Sequence, residues 1–396
     1  MKLAEPAAPI DRWALSPDVE HLNHGSFGGC PLEVIDAADT WRRQLEDAPM
    51  RFFVLDWQRE LDKARDVLAT FLRASARRLA FVPNATTGVA IALASSAPSL
   101  GSGDEVLTTD HAYRACFNQL KRVAHGRGAH VRTVAIPLPF NADALVEAVA
   151  AAITPRTKLA LIDHITSPTA IVLPLDRIIP LFESRGITVV VDGAHAPGQL
   201  ALDVGQQLDA GVTWYAGNNH KWVCGPKGTG FLAGSGKAPA PTPVITSHGA
   251  SPEYGPSNRF HAELDWMGTH DPSAHLAVPT AIATIAEMAN GWQHVVARNH
   301  ALAVELRARL ADALGSSELC IDEDLGSMAS LPITLPLGIA PLALEKQLLA
   351  DGWEVPIVDF HAGPLVRVSA HLYNHADQAT KLAEKLHSLG VRGRKL

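Results

Sequence analysis

ITVVVDGAH (187–195) is a run of β-branched residues that closes on polar ones. Thr188 to Val191 have the pattern of a strand buried on both faces, with Asp192 and His195 at its carboxyl end. PLDRIIPLFESRG (174–186), just before it, reads as a helix that stops at a glycine, and TWYA (213–216), further on, as another strand. Apolar strands separated by helices form βαβ units, whose strands run parallel with helices on the faces.

The same alternation extends upstream. RRLAFVP (77–83), DEVLTTD (104–110), HVRTVAIPL (130–138) and TKLALIDHI (157–165) read as strands. TTGVAIALASSA (86–97), AYRACFNQLKRVAHG (112–126) and ADALVEAVAAAI (142–153) read as helices between them. The fold class is therefore α/β, with a mainly parallel sheet. Downstream, 237–260 is rich in Pro, Gly and Ser and reads as a loop or domain edge. Beyond it, 272–289 and 300–315 look helical, SLPITLPL (330–337) and GPLVRVSA (363–370) look like strands, and 340–352 and 377–390 look helical. That is an α+β pattern of ordinary domain size. The expected division is an N-terminal arm at 1–20, a large domain at 21–270 and a small domain at 271–396.

Composition narrows the function classes. The 396 residues are 47% hydrophobic and 19% charged, which suits a globular protein with a sizeable core. A net charge of -7 argues against a broad nucleic-acid surface. No apolar run suits a membrane span or a signal peptide, so a cytoplasmic protein is expected. The 4 cysteines are scattered without a CxxC pair, and the 18 histidines show no metal spacing, so no metal site is expected.

Ligands of open α/β sheets bind at the carboxyl ends of the strands. Four groups there deserve weighing. NATTG (84–88) opens a helix whose amides can cradle a phosphate, or Asn84 or Thr86 simply caps it. Asp192 can meet a metal, a ribose or a ring nitrogen, or serve a turn. Lys221, in GNNHKWVCGPKGTG (217–230), is flanked by His220 and Trp222; shielding from water would lower its pKa and make it a nucleophile. The glycines after it lack the Walker spacing and read as turns. Arg367 lies in an apolar strand and needs a carboxylate, from the protein or from a substrate.

In this order, the four groups resemble the class V aminotransferase family, fold type I of the enzymes that use pyridoxal 5′-phosphate (PLP). LNHGSFGGCP (22–31), TTDHAY (108–113), SPT (167–169), VDGAHAPG (191–198), YAGNNHKW (215–222), GTHDPSAHLAVP (268–279) and RVSAHLYN (367–374) carry the resemblance over nearly the whole chain. Within the family they are similar to the isopenicillin N epimerase branch. The resemblance implies a sheet of the seven-stranded type and a PLP cofactor. It implies Lys221 as the Schiff-base lysine and Asp192 as partner of the pyridine nitrogen. It places His195 near the ring oxygen and Tyr113 on the ring face, with His111 as the other candidate there. Ala85 and Thr86 match the phosphate-binding turn, with Ser167, Asn218 and His220 among the cofactor contacts. Thr269 matches a phosphate contact donated from a neighbouring subunit, which implies a homodimer. Arg367 matches the arginine that grips the substrate carboxylate, with Asn23 and His24 in the same pocket.

A protonated pyridine draws electrons from the substrate Cα, so an amino acid bound as an imine loses its Cα proton readily. Lys221 is placed to act as the base, passing through an external imine and a carbanion. Epimerase or racemase chemistry is the favoured outcome. A carbon–sulfur β-lyase acting on a cysteine conjugate or sulfoxide, an aminotransferase, and a catalytically silent PLP-fold protein are the alternatives. EVPIVDFHAGPLVR (354–367) has no cysteine ahead of Arg367, and Cys30 and Cys320 lie elsewhere, which argues against a persulfide-forming desulfurase. Arg51, Phe52 and residues 240–270 of a partner chain are candidate walls for the substrate side chain.

Overall fold

The computed structural model describes residues 3–256 and 258–396. Its main sheet has seven strands: β1 (Leu79–Val82), β2 (Glu105–Thr109), β3 (His130–Val134), β4 (Thr157–Asp163), β5 (Thr188–Asp192), β6 (Trp214–Asn218) and β7 (Gly230–Gly234). Their order across the sheet is β3-β2-β4-β5-β6-β7-β1. All neighbours run parallel except β7, which is antiparallel to both β6 and β1. The α/β expectation and the seven-stranded sheet are both met. Val189, Val190 and Val191 have no solvent exposure, as a strand covered by helices on both faces requires. The edge strand β3 instead exposes His130, Arg132 and Thr133, polar residues that discourage further pairing.

Helix α1 (Leu32–Asp47) and helix α2 (Trp57–Leu72) precede this sheet. No element was read there, because their buried positions are diluted by charge. In α2, Leu61, Ala64, Leu68 and Leu72 turn inward while Arg59, Lys63 and Asp66 face out. Helix α3 (Ala85–Ser96) runs between β1 and β2 and α4 (Arg114–Gly126) between β2 and β3. α3 packs against β5, β6 and β7, and its near-continuous Ala, Val, Ile and Leu content matches that burial.

The C-terminal part differs in detail from the sequence reading. The helix expected over 272–289 is broken into Ser273–Leu276 and α5 (Val278–Met288), with Pro279 in the first turn of the second piece. The helix expected at 300–315 begins earlier, as α6 (Trp292–Leu314), and ends at Gly315 in the left-handed region with φ 69°. Strands β8 (Met328–Thr334), β9 (Ile357–Val358), β10 (Leu365–Ser369) and β11 (Arg392–Gly393) form an antiparallel sheet in the order β9-β10-β8-β11. α6 and α7 (Asp377–Ser388) pack against each other, and α6 against that sheet.

The beginning of the chain joins this C-terminal part. Glu20–His21 pairs in parallel with Trp353–Glu354, and the amides of Ala7 and Ala8 both donate to the Leu372 carbonyl. Ser369, at the end of β10, donates its amide to the Leu22 carbonyl at 2.8 Å. Residues 22–28 are thereby held beside Arg367. No helix among the described residues is long and apolar enough to cross a membrane.

Candidate active site

The carboxyl ends of β4, β5 and β6, the start of α3 and the turn before α4 enclose a cavity of about 330 Å³. Lys221, Asp192, Tyr113, Thr86 and Ser167 line it. So do His195, Asn218, His220 and Arg367. Asp163, Gly25 and Ser26 line it too, and none of these three was singled out from the sequence. Residues spread over the whole length of the chain thus face one space at the position expected of an open α/β sheet.

Lys221 sits in the tight turn after β6. The Cys224 amide donates to its carbonyl at 2.8 Å, and Gly225 donates to the Asn219 carbonyl at 2.8 Å. Its side chain is buried, and Nζ lies 3.4 and 3.3 Å from Nδ1 and Nε2 of His195. Among the described residues it forms no ion pair within 4 Å. Burial, helped by the Arg367 charge and opposed by Asp192, lowers its pKa to about 7. Such an amine is substantially neutral at physiological pH and so nucleophilic. His195 is driven well below the usual imidazole range, first by burial and then by the Lys221 charge, and is neutral.

Asp192 closes β5. It is 4% exposed, and one of its oxygens accepts the Ala194 amide at 3.0 Å. Burial raises its pKa, while the Cys116 thiol, the Ala194 amide and the Lys221 charge oppose the rise. At the start of α3, Asn84 accepts the Thr87 amide at 2.9 Å, so the capping reading of Asn84 is what the structure shows. Asn218 Oδ1 accepts the Ala85 amide at 2.8 Å. Ala85 is consequently buried against β6 and does not line the cavity, whereas Thr86 does.

Arg367 projects from β10. Nη1 donates to the Ser167 carbonyl at 2.6 Å, and Nη2 donates to Ser26 Oγ at 2.9 Å and to Asn23 Oδ1 at 3.5 Å. Its buried Nε has no partner, and among the described residues no carboxylate lies within ion-pair distance. The structural ion pair weighed from the sequence is therefore not formed. Burial, opposed by the more distant Glu345, lowers its pKa to about 10, so it stays a cation at neutral pH. A buried guanidinium lacking an anion is suited to a carboxylate ligand.

Other expected residues fall outside the cavity. His24 is 3% exposed, and both of its nitrogens are engaged: Nε2 donates to the Lys221 carbonyl at 3.0 Å, and Nδ1 accepts from the Tyr373 hydroxyl at 2.9 Å. It props the Lys221 turn from behind and does not reach a ligand. Its neighbours Gly25 and Ser26 face the cavity instead. Asn23 acts through Ser26, whose hydroxyl donates to its Oδ1 at 2.6 Å, and through the edge of Arg367. His111 is buried, bonded to Thr169 at 2.8 Å and packed on Phe360, so of the two candidates Tyr113 is the one on the cavity wall. Thr269 borders a separate cavity of about 230 Å³ beside Trp57 and Phe81, and Arg51 and Phe52 border another of about 260 Å³. All four cysteines are buried, and none lines the site.

Asp163 was within reach of the sequence: it closes TKLALID as Asp192 closes ITVVVD, and the same strand-end rule applies to both. Ser26 had no comparable signal, since a serine in a helical turn carries no mark of what it faces.

The residues present fit PLP. Among the described residues, a low-pKa lysine, a buried carboxylate, a helix N-terminus and an arginine without a carboxylate partner surround a space of suitable size, and Asp163 Oδ2 is buried there without a hydrogen-bond partner. Fold and site define a PLP enzyme of fold type I. The sequence profile of the family described as Aminotransferase class-V matches residues 30–335; the chain belongs to that family, and its cofactor is PLP. It is 36% identical over 393 residues to the isopenicillin N epimerase of Amycolatopsis lactamdurans, covering 95% of this chain and 96% of that one. It is also 31% identical to a putative L-cysteine desulfhydrase of Oryza sativa subsp. japonica, covering 95% of this chain and 84% of that one. Among solved structures, the cystine C-S lyase C-DES in complex with cysteine persulfide superposes with a TM-score of 0.83 at 20% identity, covering 96% of this chain and 99% of that one.

Proposed function

We propose that this enzyme inverts the Cα configuration of an amino-acid-type substrate, as an epimerase or racemase. The observation that carries the Cα chemistry is the cavity shared by Lys221, with its depressed pKa, and Arg367, which has no carboxylate partner among the described residues. When bound, PLP supplies an electron-withdrawing ring that acidifies the Cα proton of an attached amino acid. Arg367 and Ser26 hold the substrate carboxylate and so set which Cα bond is presented. Lys221 takes or returns the proton on one face. Tyr113, 45% exposed and on the cavity wall, is the candidate group for the other face. With PLP bound, Asp192 would serve the ring nitrogen, and Thr86, Asn218 and His220 would hold the phosphate end. Full-length similarity to isopenicillin N epimerases from two organisms favours inversion.

A carbon–sulfur β-lyase is the second reading, favoured by the similarity to putative L-cysteine desulfhydrases and needing only Lys221 and a thiol leaving group. A desulfurase that passes sulfur to its own cysteine is disfavoured, because none of the four cysteines lines the site. The proposal carries a homodimer in which Thr269 of the partner subunit completes the phosphate site. Incubation with L-amino acids and cysteine conjugates in deuterated water separates the outcomes. Deuterated product of inverted configuration is expected. Pyruvate and ammonia without inversion would transfer the assignment to the lyase, and an acceptor-dependent oxo acid would transfer it to transamination. No deuterium incorporation with any substrate would remove the Cα reading altogether.

A further inference from the structure

Asp163 closes β4 as Asp192 closes β5, and the two are register partners on adjacent parallel strands. Residues paired in this way project to the same face of a sheet. Both line the cavity, at 3% and 4% exposure. Neither has an ion-pair partner within 4 Å among the described residues. Asp192 has the Ala194 amide on one oxygen, whereas Asp163 Oδ2 is buried with no hydrogen-bond partner.

Two buried carboxyl groups on register-paired strand ends disfavour ionising together, and a proton kept by the pair relieves their repulsion. The surroundings decide where it resides. Lys221, from the turn after β6, and the Ala194 amide stabilise an anion on Asp192. Cys116, from α4, meets Asp192 with a thiol that burial holds protonated. Tyr215 of β6 stays a neutral phenol bonded to His164, and His164 and His195 are kept uncharged by burial. Among the described residues no cation is placed to stabilise Asp163. Burial, then the Asp192 charge, raises Asp163 well above the usual carboxylate range, against the opposing backbone amides of Tyr113 and of Asp163 itself.

We propose that Asp163 is a second carboxyl group of the cofactor site, a positioning residue that keeps the proton of the Asp163–Asp192 pair so that Asp192 alone is the anion facing the pyridine nitrogen. This rests on the PLP reading of the cavity. A doubly charged pair would repel itself and draw in Lys221. A pair with both carboxyls protonated would leave the ring nitrogen without a counter-charge. One proton, held on Asp163, avoids both.

The test separates the two carboxyls. Asp163→Asn replaces a neutral acid by a neutral amide of the same shape, so the PLP dissociation constant at pH 7, read from the visible absorbance, is expected to change less than about threefold. Asp192→Asn removes the anion and should weaken binding by about tenfold, the equivalent of one pKa unit. In the apo protein, infrared spectroscopy at pH 7 should show a protonated-carboxyl stretch that Asp163→Asn removes. The apo melting temperature gives an independent readout. A raised folded-state pKa contributes stability below the unfolded carboxylate pKa, and that contribution is lost as pH rises toward the folded value. Wild type should therefore lose stability relative to Asp163→Asn as pH rises from about 4, the ordinary aspartate value, toward neutrality and beyond. The proposal is overturned if Asp163→Asn costs as much PLP affinity as Asp192→Asn, or if the carboxyl stretch survives and the melting profiles stay parallel. The apo measurements stand whether or not PLP binds: a colourless protein would fail the cofactor reading, while the carboxyl stretch and the melting profiles still decide whether Asp163 keeps the proton.

Discussion

Nζ of Lys221 is almost equidistant from the two ring nitrogens of His195, at 3.4 and 3.3 Å, and so is not in line with either lone pair. His195 fixes where the amine sits without neutralising or protonating it. The amine stays buried, with the Arg367 charge and the Asp192 carboxylate of the same cavity acting on it in opposite senses.

The rate of PLP capture should follow the free-amine form of Lys221. Because a depressed pKa favours the neutral amine, the rate is expected to rise about tenfold per pH unit below pH 7 and to level off above it. Arg367→Gln removes a charge that lowers this pKa, so the inflection should move to higher pH. Stopped-flow absorbance at several pH values reads both. An inflection near the ordinary lysine value, or one unmoved in Arg367→Gln, would contradict the electrostatic account.

Arg367→Gln should also raise the KM of substrates bearing an α-carboxylate by about 10- to 100-fold, the worth of a charge-assisted hydrogen bond of roughly 1.5–3 kcal/mol. PLP affinity should change far less, because the contacts of Arg367 are with Ser167, Ser26 and Asn23. Equal losses of PLP and substrate affinity would show that the arginine only maintains the fold.

His24→Phe tests whether this histidine is a prop or a ligand group. The phenyl ring leaves the Lys221 carbonyl and the Tyr373 hydroxyl without their bonds, at a cost of about 1–3 kcal/mol in urea unfolding. Substrate KM should be nearly unchanged. A large KM increase at unchanged stability would return His24 to the substrate pocket.

Gly28 has φ 71°, and a Cβ there would come within 1.8 Å of the His220 carbonyl oxygen. Gly28→Ala therefore forces either residues 24–28 or the Lys221 turn to move. The expected result is a destabilisation above about 1 kcal/mol together with a weakened visible band after PLP addition. Wild-type stability and colour would show that the close approach is not needed.

Much of this architecture is local in origin. Runs such as LALID and TVVVD are strands because β-branched and apolar residues suit a pleated, doubly covered layer, and their terminal carboxylates mark the ligand end of the sheet. Lys221, Asp192 and Arg367 stand out because charge inside an apolar pattern is unusual. α1 and α2 were missed because solvent-facing charges mask their inward positions.

Facing, in contrast, is a tertiary property. Asn23, His24 and Ser26 share one short turn, and only the packing of that turn against Ser369, Tyr373 and the Lys221 loop turns Ser26 toward Arg367 and His24 away from the cavity. Likewise, Asp163 and Asp192 each close a strand by their own sequence, but the parallel register of β4 and β5 makes them neighbours. The sequence by itself determined the parallel α/β framework, the family and the chemical groups of the site, because strand pattern and residue type are written locally. Only the tertiary structure decided that Arg367 has no carboxylate partner among the described residues and that two acids line one cavity, because both depend on groups brought together from distant parts of the chain.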